Sequence, residues 1–156
     1  MDADHDGCNT RAEVLKRDAV VAPEHGEHCK LTGGQWLSPY DDRTINDPHG
    51  LDIDHLVPLA EALDSGASQW SAAEREAYAN DLDDKRDLIA VSAASNRAKA
   101  DKDPADWLPP AAGYRCQYVT DWIADKTRWG MSIDTTEKTA LLDGCPDQPI
   151  TVTLAR

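Results

Sequence analysis

Along the 156-residue chain the spacing of apolar and polar positions changes several times, and each change marks an element. Residues 13–21 put Val14, Leu15 and Ala19 at helical spacing and predict a short helix. Residues 23–34, rich in Gly, His and Glu, predict a loop. Residues 35–40 and 51–55 read as short strands on either side of a turn-rich stretch at 41–50. A brief helix over 60–63 is stopped by Asp64-Ser65-Gly66. A stronger one spans 71–80, with Ser71 as N-cap and Glu74 three positions on, the pattern of a capping box. The apolar run 88–91 suits a buried strand, and 92–100 has helical composition. Tyr118, Val119, Trp122, Ile123 and Lys126 lie at helical spacing within 114–129, and a last short helix is predicted over 136–142. These elements describe an α+β domain over residues 1–145 with little sheet and several helices, and a tail at 146–156.

Apolar residues make up 40% of the chain, enough for a packed core. Acids outnumber bases 29 to 16, a net charge of −13, which argues against the basic face of a usual DNA-binding module and against an anionic membrane surface. No stretch approaches the roughly 18 consecutive apolar residues of a membrane span. The charge is uneven, however. Residues 85–102 hold Lys85, Arg86, Arg97, Lys99 and Lys102 against Asp87 and Asp101, a local excess of three positive charges.

Cys8, Cys29, Cys116 and Cys145 form no C-x-x-C pair, so a zinc ribbon or thioredoxin motif is not expected. An even number at wide spacing suits two disulfides in an exported protein, with three connectivities open. The sequence-local choice is Cys8–Cys29 with Cys116–Cys145, each bridge stabilising by roughly 3–4 kcal/mol. Four buried free thiols are the alternative. The chain opens on Met1 and an acidic run, without a signal peptide, which is read as an export signal already removed.

Chemistry concentrates in two places. Asp52-Ile53-Asp54-His55-Leu56-Val57-Pro58 sets two carboxylates and a histidine at the end of a predicted strand. Ser95-Asn96-Arg97-Ala98-Lys99-Ala100-Asp101 lies on a helix after the second strand. Phosphodiester hydrolysis needs a water deprotonated near neutral pH, the task for which histidine's pKa is suited. It also needs a Lewis acid for the leaving oxygen, and a hard divalent cation takes oxygen ligands such as Asp54 and the Asn96 amide. Arg97 and Lys99 are then placed to neutralise phosphate.

Asp-x-Asp-His-x-x-Pro followed by Asn-Arg-x-Lys-x-Asp resembles the HNH endonuclease superfamily, including the HNH domain of CRISPR effector nucleases. Residues 52–62 and 88–92 are closer still to small secreted actinobacterial HNH nucleases, akin to the nuclease domain of GmrSD-type restriction enzymes. The likeness runs over residues 7–145. It implies a ββα-metal core within 51–101, His55 as general base, and Asp54 and Asn96 as ligands of Mg²⁺ or Mn²⁺, with Asp52 or Glu61 as additional acids. The middle position of the pattern falls on Asp87, where Asn or His is usual. Asp87 either accepts a hydrogen bond and holds the His55 loop or raises the His55 pKa by its charge. Arg43 and Lys102 are further candidates for phosphate contact, with surface ion pairing as the simpler reading.

The second place is residues 2–13, which fit a twelve-residue, EF-hand-like calcium loop. Asp2, Asp4 and Asp6 fall at positions 1, 3 and 5, Gly7 at 6, the Cys8 carbonyl at 7 and Glu13 at 12. Asn9 at position 8 and the lack of an entering helix depart from that pattern; an acidic arm without structure is the alternative. Trp122 and Trp129 are expected in the core, while Trp36 or Tyr40 could stack on a base.

The leading expectation is a secreted, monomeric, divalent-metal-dependent endonuclease that cuts DNA, with RNA as a second substrate, shows little sequence preference and leaves a 5′ phosphate. The rival is a calcium-stabilised extracellular binding domain whose HNH-like site is inactive. The acidic balance adds that DNA should be held loosely and only with divalent cations present.

Overall fold

A computed structural model describes Asp2, residues 5–145 and residues 149–155. Helix α1 (Thr10–Asp18) begins earlier than its apolar positions suggest. The Asn9 side chain accepts the Ala12 N–H at 3.0 Å, and Ala12, Val14 and Leu15 turn inward. Beyond Asp18 the chain is extended, and Val20 and Val21 hydrogen-bond to the Gln35 backbone while their side chains stay exposed.

The expected loop at 23–34 contains a small antiparallel pair, β1 (Glu24–His25) and β2 (Leu31–Thr32). The expected strand at 35–40 is only β3 (Trp36–Ser38). It pairs with β4 (Arg43–Ile45), inside the stretch read as turns. Asp42, at φ 54°, makes the reversal between them.

The central pair is β5 (Leu51–His55) and β6 (Leu88–Ser92), antiparallel from Leu51↔Ser92 to His55↔Leu88. Helices α2 (Leu59–Asp64) and α3 (Ala72–Ala79) fill the connection between them, and α3 carries the capping box of Ser71 and Glu74. Helix α4 (Ala93–Lys99) follows β6 directly. Helices α5 (Arg115–Trp129) and α6 (Thr135–Gly144) complete the described elements. Cys8–Cys29 joins the α1 entry to the β1–β2 unit and Cys116–Cys145 joins α5 to the end of α6, the sequence-local pairing. Among the described residues no helix is long and apolar enough to cross a membrane.

Because side chains alternate along a strand, the central pair has two distinct faces. Leu51, Ile53, Leu88 and Ala90 pack with Val14, Leu15 and Trp36. Val91 and Ile89 pack on the other side with Tyr40, Tyr118, Trp122 and Val119. Asp52 and Asp54 stand opposite Val91 and Ile89, so they belong to this second face.

The chain has no phenylalanine, and Trp and Tyr rings fill the core in its place. Such rings bring a polar atom that must be satisfied. Trp36 Nε1 donates to the Leu15 carbonyl at 2.8 Å and Trp122 Nε1 to Glu137 at 2.5 Å. Trp36 and Tyr40 are fully buried, so neither offers the base-stacking surface considered from sequence. The expected tail is docked over residues 149–155. Arg86 donates to the Thr151 carbonyl at 3.2 Å, Arg128 to that of Thr153 at 2.6 Å, and Ala155 N–H to that of Arg128 at 3.0 Å.

Candidate active site

Helix α4 lies along the face of β5 that carries the two aspartates. Its start is fixed by Ser92, whose hydroxyl accepts the Ser95 N–H at 3.2 Å and donates to Asp41 at 2.6 Å. At the outer end of this seam Asn96 Nδ2 donates to Asp52 Oδ2 at 3.3 Å, and Arg97 Nε lies 3.7 Å from the same oxygen with 77% of its side chain exposed. One helical turn further, Lys99 Nζ donates to Asp54 Oδ1 at 2.8 Å and to the His55 carbonyl at 2.9 Å. The other oxygen of Asp54 accepts the Tyr40 hydroxyl at 2.5 Å. Burial pushes the Asp54 carboxyl up and the Lys99 ammonium down, and each charge opposes the other's shift.

Two expectations change here. Lys99 has no exposed surface, so it neutralises Asp54 and not a phosphate. Asp54 is buried and each of its oxygens already accepts a hydrogen bond, from Lys99 and from Tyr40, so it is not open to an ion from solvent while they hold it. Asp52 and Asn96 are half-buried oxygen-bearing groups side by side, the donor set a hard cation takes.

His55 ends β5 on the opposite face. Its Nε2 lies 3.0 Å from the Ala79 carbonyl at the end of α3. A carbonyl only accepts, so Nε2 carries the proton and Nδ1 keeps a free lone pair. The ring stands beside Tyr78, centroids 6.2 Å apart. Burial pushes the imidazole below its ordinary value, against the pull of the Ala79 carbonyl and the Asp54 charge. A neutral ring at pH 7 with one free nitrogen is competent as a base.

Asp87 holds the loop after His55 through its backbone and not through its side chain. Its backbone carbonyl accepts the Leu56 N–H at 3.0 Å, but its carboxylate faces Trp129 Nε1 and Arg128 Nε, each at 3.3 Å. The side chain is drawn under α5, away from the His55 ring, and burial, not Asp87, dominates the His55 shift. There it joins Asp81 beside the guanidinium of Arg128 and also feels the charge of the buried Asp125. Arg128 binds Asp81 through Nε at 2.9 Å and Nη2 at 3.2 Å. Despite its burial, this holds Asp81 below the ordinary carboxylate range. With that cation taken, burial and neighbouring negative charge push Asp87 up to about 9 and Asp125 up to about 8.

The remaining candidates lie elsewhere. Glu61 accepts from Ser65 and Lys126, both at 2.7 Å, and so ties α2 to α5 instead of serving a metal beside Asp52. Arg43 is exposed on β4 near Asp41, and Lys102 donates to the Ala98 carbonyl at 2.7 Å. In the N-terminal loop, Asp2 Oδ2 accepts the Gly7 N–H at 3.2 Å and Asp6 Oδ1 the Cys8 N–H at 2.7 Å. Lys16 Nζ sits 2.7 Å from Glu13 and 3.7 Å from Asp6, supplying positive charge where the loop reading places an ion. Asp2 Oδ1 is buried without a partner, and Asp4 lies outside the described residues.

Tyr78 and Asp125 were not singled out from sequence, and Tyr40 was considered only as a base-stacking ring. The absence of phenylalanine was the available signal: tyrosines must then enter the core, and the buried hydroxyls of Tyr40 and Tyr78 find their acceptors at the site.

An antiparallel strand pair running directly into a helix carries a neutral histidine at the end of its first strand and, on that strand's other face, an oxygen-donor pair shared with an asparagine of the helix. The chain belongs to the family of GmrSD restriction endonuclease C-terminal domains, which it matches over residues 19–143. That membership places it among nuclease-related proteins. It is also 43% identical over 134 residues to a protein of Arthroderma benhamiae named only as an uncharacterized secreted protein. The match covers 86% of this chain and 65% of the relative, so the chain spans just under two thirds of that protein's length. No solved structure matches the chain.

Proposed function

We propose that the chain is a divalent-metal-dependent endonuclease that hydrolyses phosphodiester bonds of DNA, with RNA as a second substrate. The observation that carries the reading is His55: a neutral imidazole whose Nε2 is committed to the Ala79 carbonyl, leaving Nδ1 to take a proton from water. Asp52 and Asn96 would hold Mg²⁺ or Mn²⁺ through their oxygens, and Asp54 would join them only if Lys99 released it. When bound, the cation supplies Lewis-acid stabilisation of the leaving oxygen. Arg97, extended into solvent beside Asp52, is the cation of the seam placed to meet a phosphate.

Export fits the two disulfides and the printed name of the fungal relative. The family match counts against the rival of an inactive binding domain. Calcium at the N-terminal loop is a separate reading, favoured by the buried, unpartnered Asp2 Oδ1. It requires Lys16 to turn away from Glu13.

Plasmid nicking in EDTA and with single added metals tests the activity, with His55→Ala beside the parent chain. Cleavage restored by Mg²⁺ or Mn²⁺ and lost in His55→Ala is expected; full nicking by His55→Ala sinks the assignment. The same metal series read by thermal melting tests the loop, where calcium should raise the midpoint in the parent chain and not in Glu13→Gln. An unchanged midpoint removes calcium from the account.

A further inference from the structure

Val57, two residues after His55, is bound by side chains that none of the motifs contains. Val57 N–H donates to Asp125 Oδ2 at 3.3 Å, across from α5. The Tyr78 hydroxyl donates to the Val57 carbonyl, and its oxygen lies 3.5 Å from the same Asp125 oxygen. Both polar groups of the Val57 backbone therefore end on one pair of side chains. Tyr78 directly precedes Ala79, whose carbonyl accepts from the His55 ring, and its own ring flanks the imidazole. Tyr78 is 2% exposed and Asp125 0%, so solvent cannot substitute for either contact. Residues 55–57 and 78–79 thus form one block, bolted to α5 through Asp125.

We propose that Tyr78 and Asp125 are positioning residues that hold the turn after His55 and the Ala79 carbonyl in fixed relation, keeping the imidazole in the tautomer with Nδ1 free. The physical basis is distance. The hydrogen bond that selects the tautomer is made between two separate segments, a strand end and a helix end, and the Tyr78–Val57 bond is the side-chain link between those segments. Without it the Ala79 carbonyl can drift from Nε2, and the proton is then free to sit on either nitrogen. An orientation loss of this kind is felt in the chemical step more than in substrate binding. This inference rests on the nuclease reading for its kinetic consequence, but not for its structural one.

The test uses the full chain with ¹⁵N-labelled histidine. In the parent, the His55 ring nitrogens should show the Nε2–H tautomer. In Tyr78→Phe, which keeps the ring and loses the hydroxyl, the two signals should converge towards a tautomer mixture. With Mg²⁺, kcat for nicking should fall roughly 10- to 100-fold with KM little changed. Asp125→Asn retains an oxygen for the Val57 N–H and should keep both the tautomer and the activity; Asp125→Ala should lose both. A Tyr78→Phe protein with the parental His55 signals and kcat overturns the proposal. If the parent shows no nicking under any metal while Tyr78→Phe still shifts the His55 signals, the nuclease reading fails and the positioning role stands.

Discussion

Asp52 and Asp54 sit two positions apart on one face of β5, and each meets a side chain from the same face of α4. At the outer end, Asp52 meets an amide and a solvated guanidinium, leaving oxygen atoms within reach of solvent. At the inner end, Asp54 is itself buried and meets an ammonium and a phenol, both fully buried, one on each oxygen. The difference is one of burial more than chemistry. Two carboxylates of identical reactivity are divided by one helical turn of depth into a group that can bind something and a group that holds the seam together.

The strongest way to break this comparison is at the inner end. Lys99→Met should leave Asp54 buried beside Tyr40 without its counter-charge. Removing one partner of a buried pair costs about 3–5 kcal/mol, so urea denaturation should show a loss of that size. A loss under about 1 kcal/mol would mean that water reaches Asp54, and the two ends would no longer differ.

The acid cluster beneath α5 sharpens the same lesson through pH. Asp87 in the unfolded chain ionises near the ordinary value of 3.8, whereas burial and the charges of Asp125 and Asp81 delay it to about 9 in the fold. Between those values the unfolded state has released a proton that the folded state keeps, so stability is lost as pH rises through the window. The slope for one such acid is at most about 1.4 kcal/mol per pH unit. Asp87→Asn has no proton to lose, so its melting temperature should vary less than the parent's between pH 6 and pH 8. Parallel profiles for the two proteins would show that Asp87 ionises in the fold and that Arg128 serves more than one carboxylate.

How far the sequence revealed these features follows from what patterns can carry. The order strand, strand, helix at 51–99 was legible, because alternation and helical spacing report which positions face the core. The capping box at Ser71 and the local disulfide pairing were legible for the same reason, since both depend on short separations. Lys99 was misread because a lysine beside an arginine on a helix normally faces water. The corrective signal was its place four residues after Ser95, on the turn that faces β5. Asp87 was aligned by motif with a residue that orients histidine. Its backbone does lie beside Leu56, but the direction of its side chain depends on Arg128 and Trp129, more than 40 positions away. The charge excess at 85–102 also overstated the cations free for nucleic acid, since Lys99 is buried on Asp54 and Arg86 is paired with Asp84 at 2.5 Å.

The outer end supplies the finest discrimination. Asp52→Asn keeps an oxygen and the shape of the side chain but removes the charge, and at this half-exposed position stability should stay within about 0.5 kcal/mol of the parent. If Asp52 and Asn96 hold the cation, the Mg²⁺ concentration for half-maximal nicking should rise by roughly 10- to 100-fold in Asp52→Asn, and likewise in Asn96→Ala. An unchanged Mg²⁺ requirement in both would move the cation inward, to an Asp54 that has let go of Lys99. In that case Lys99→Met, so costly to stability, should lower the Mg²⁺ requirement, because an unpaired Asp54 would meet the ion without first giving up its ammonium. The two variants therefore separate the ends of the seam: a metal effect without a stability effect at Asp52, or both effects together at Asp54.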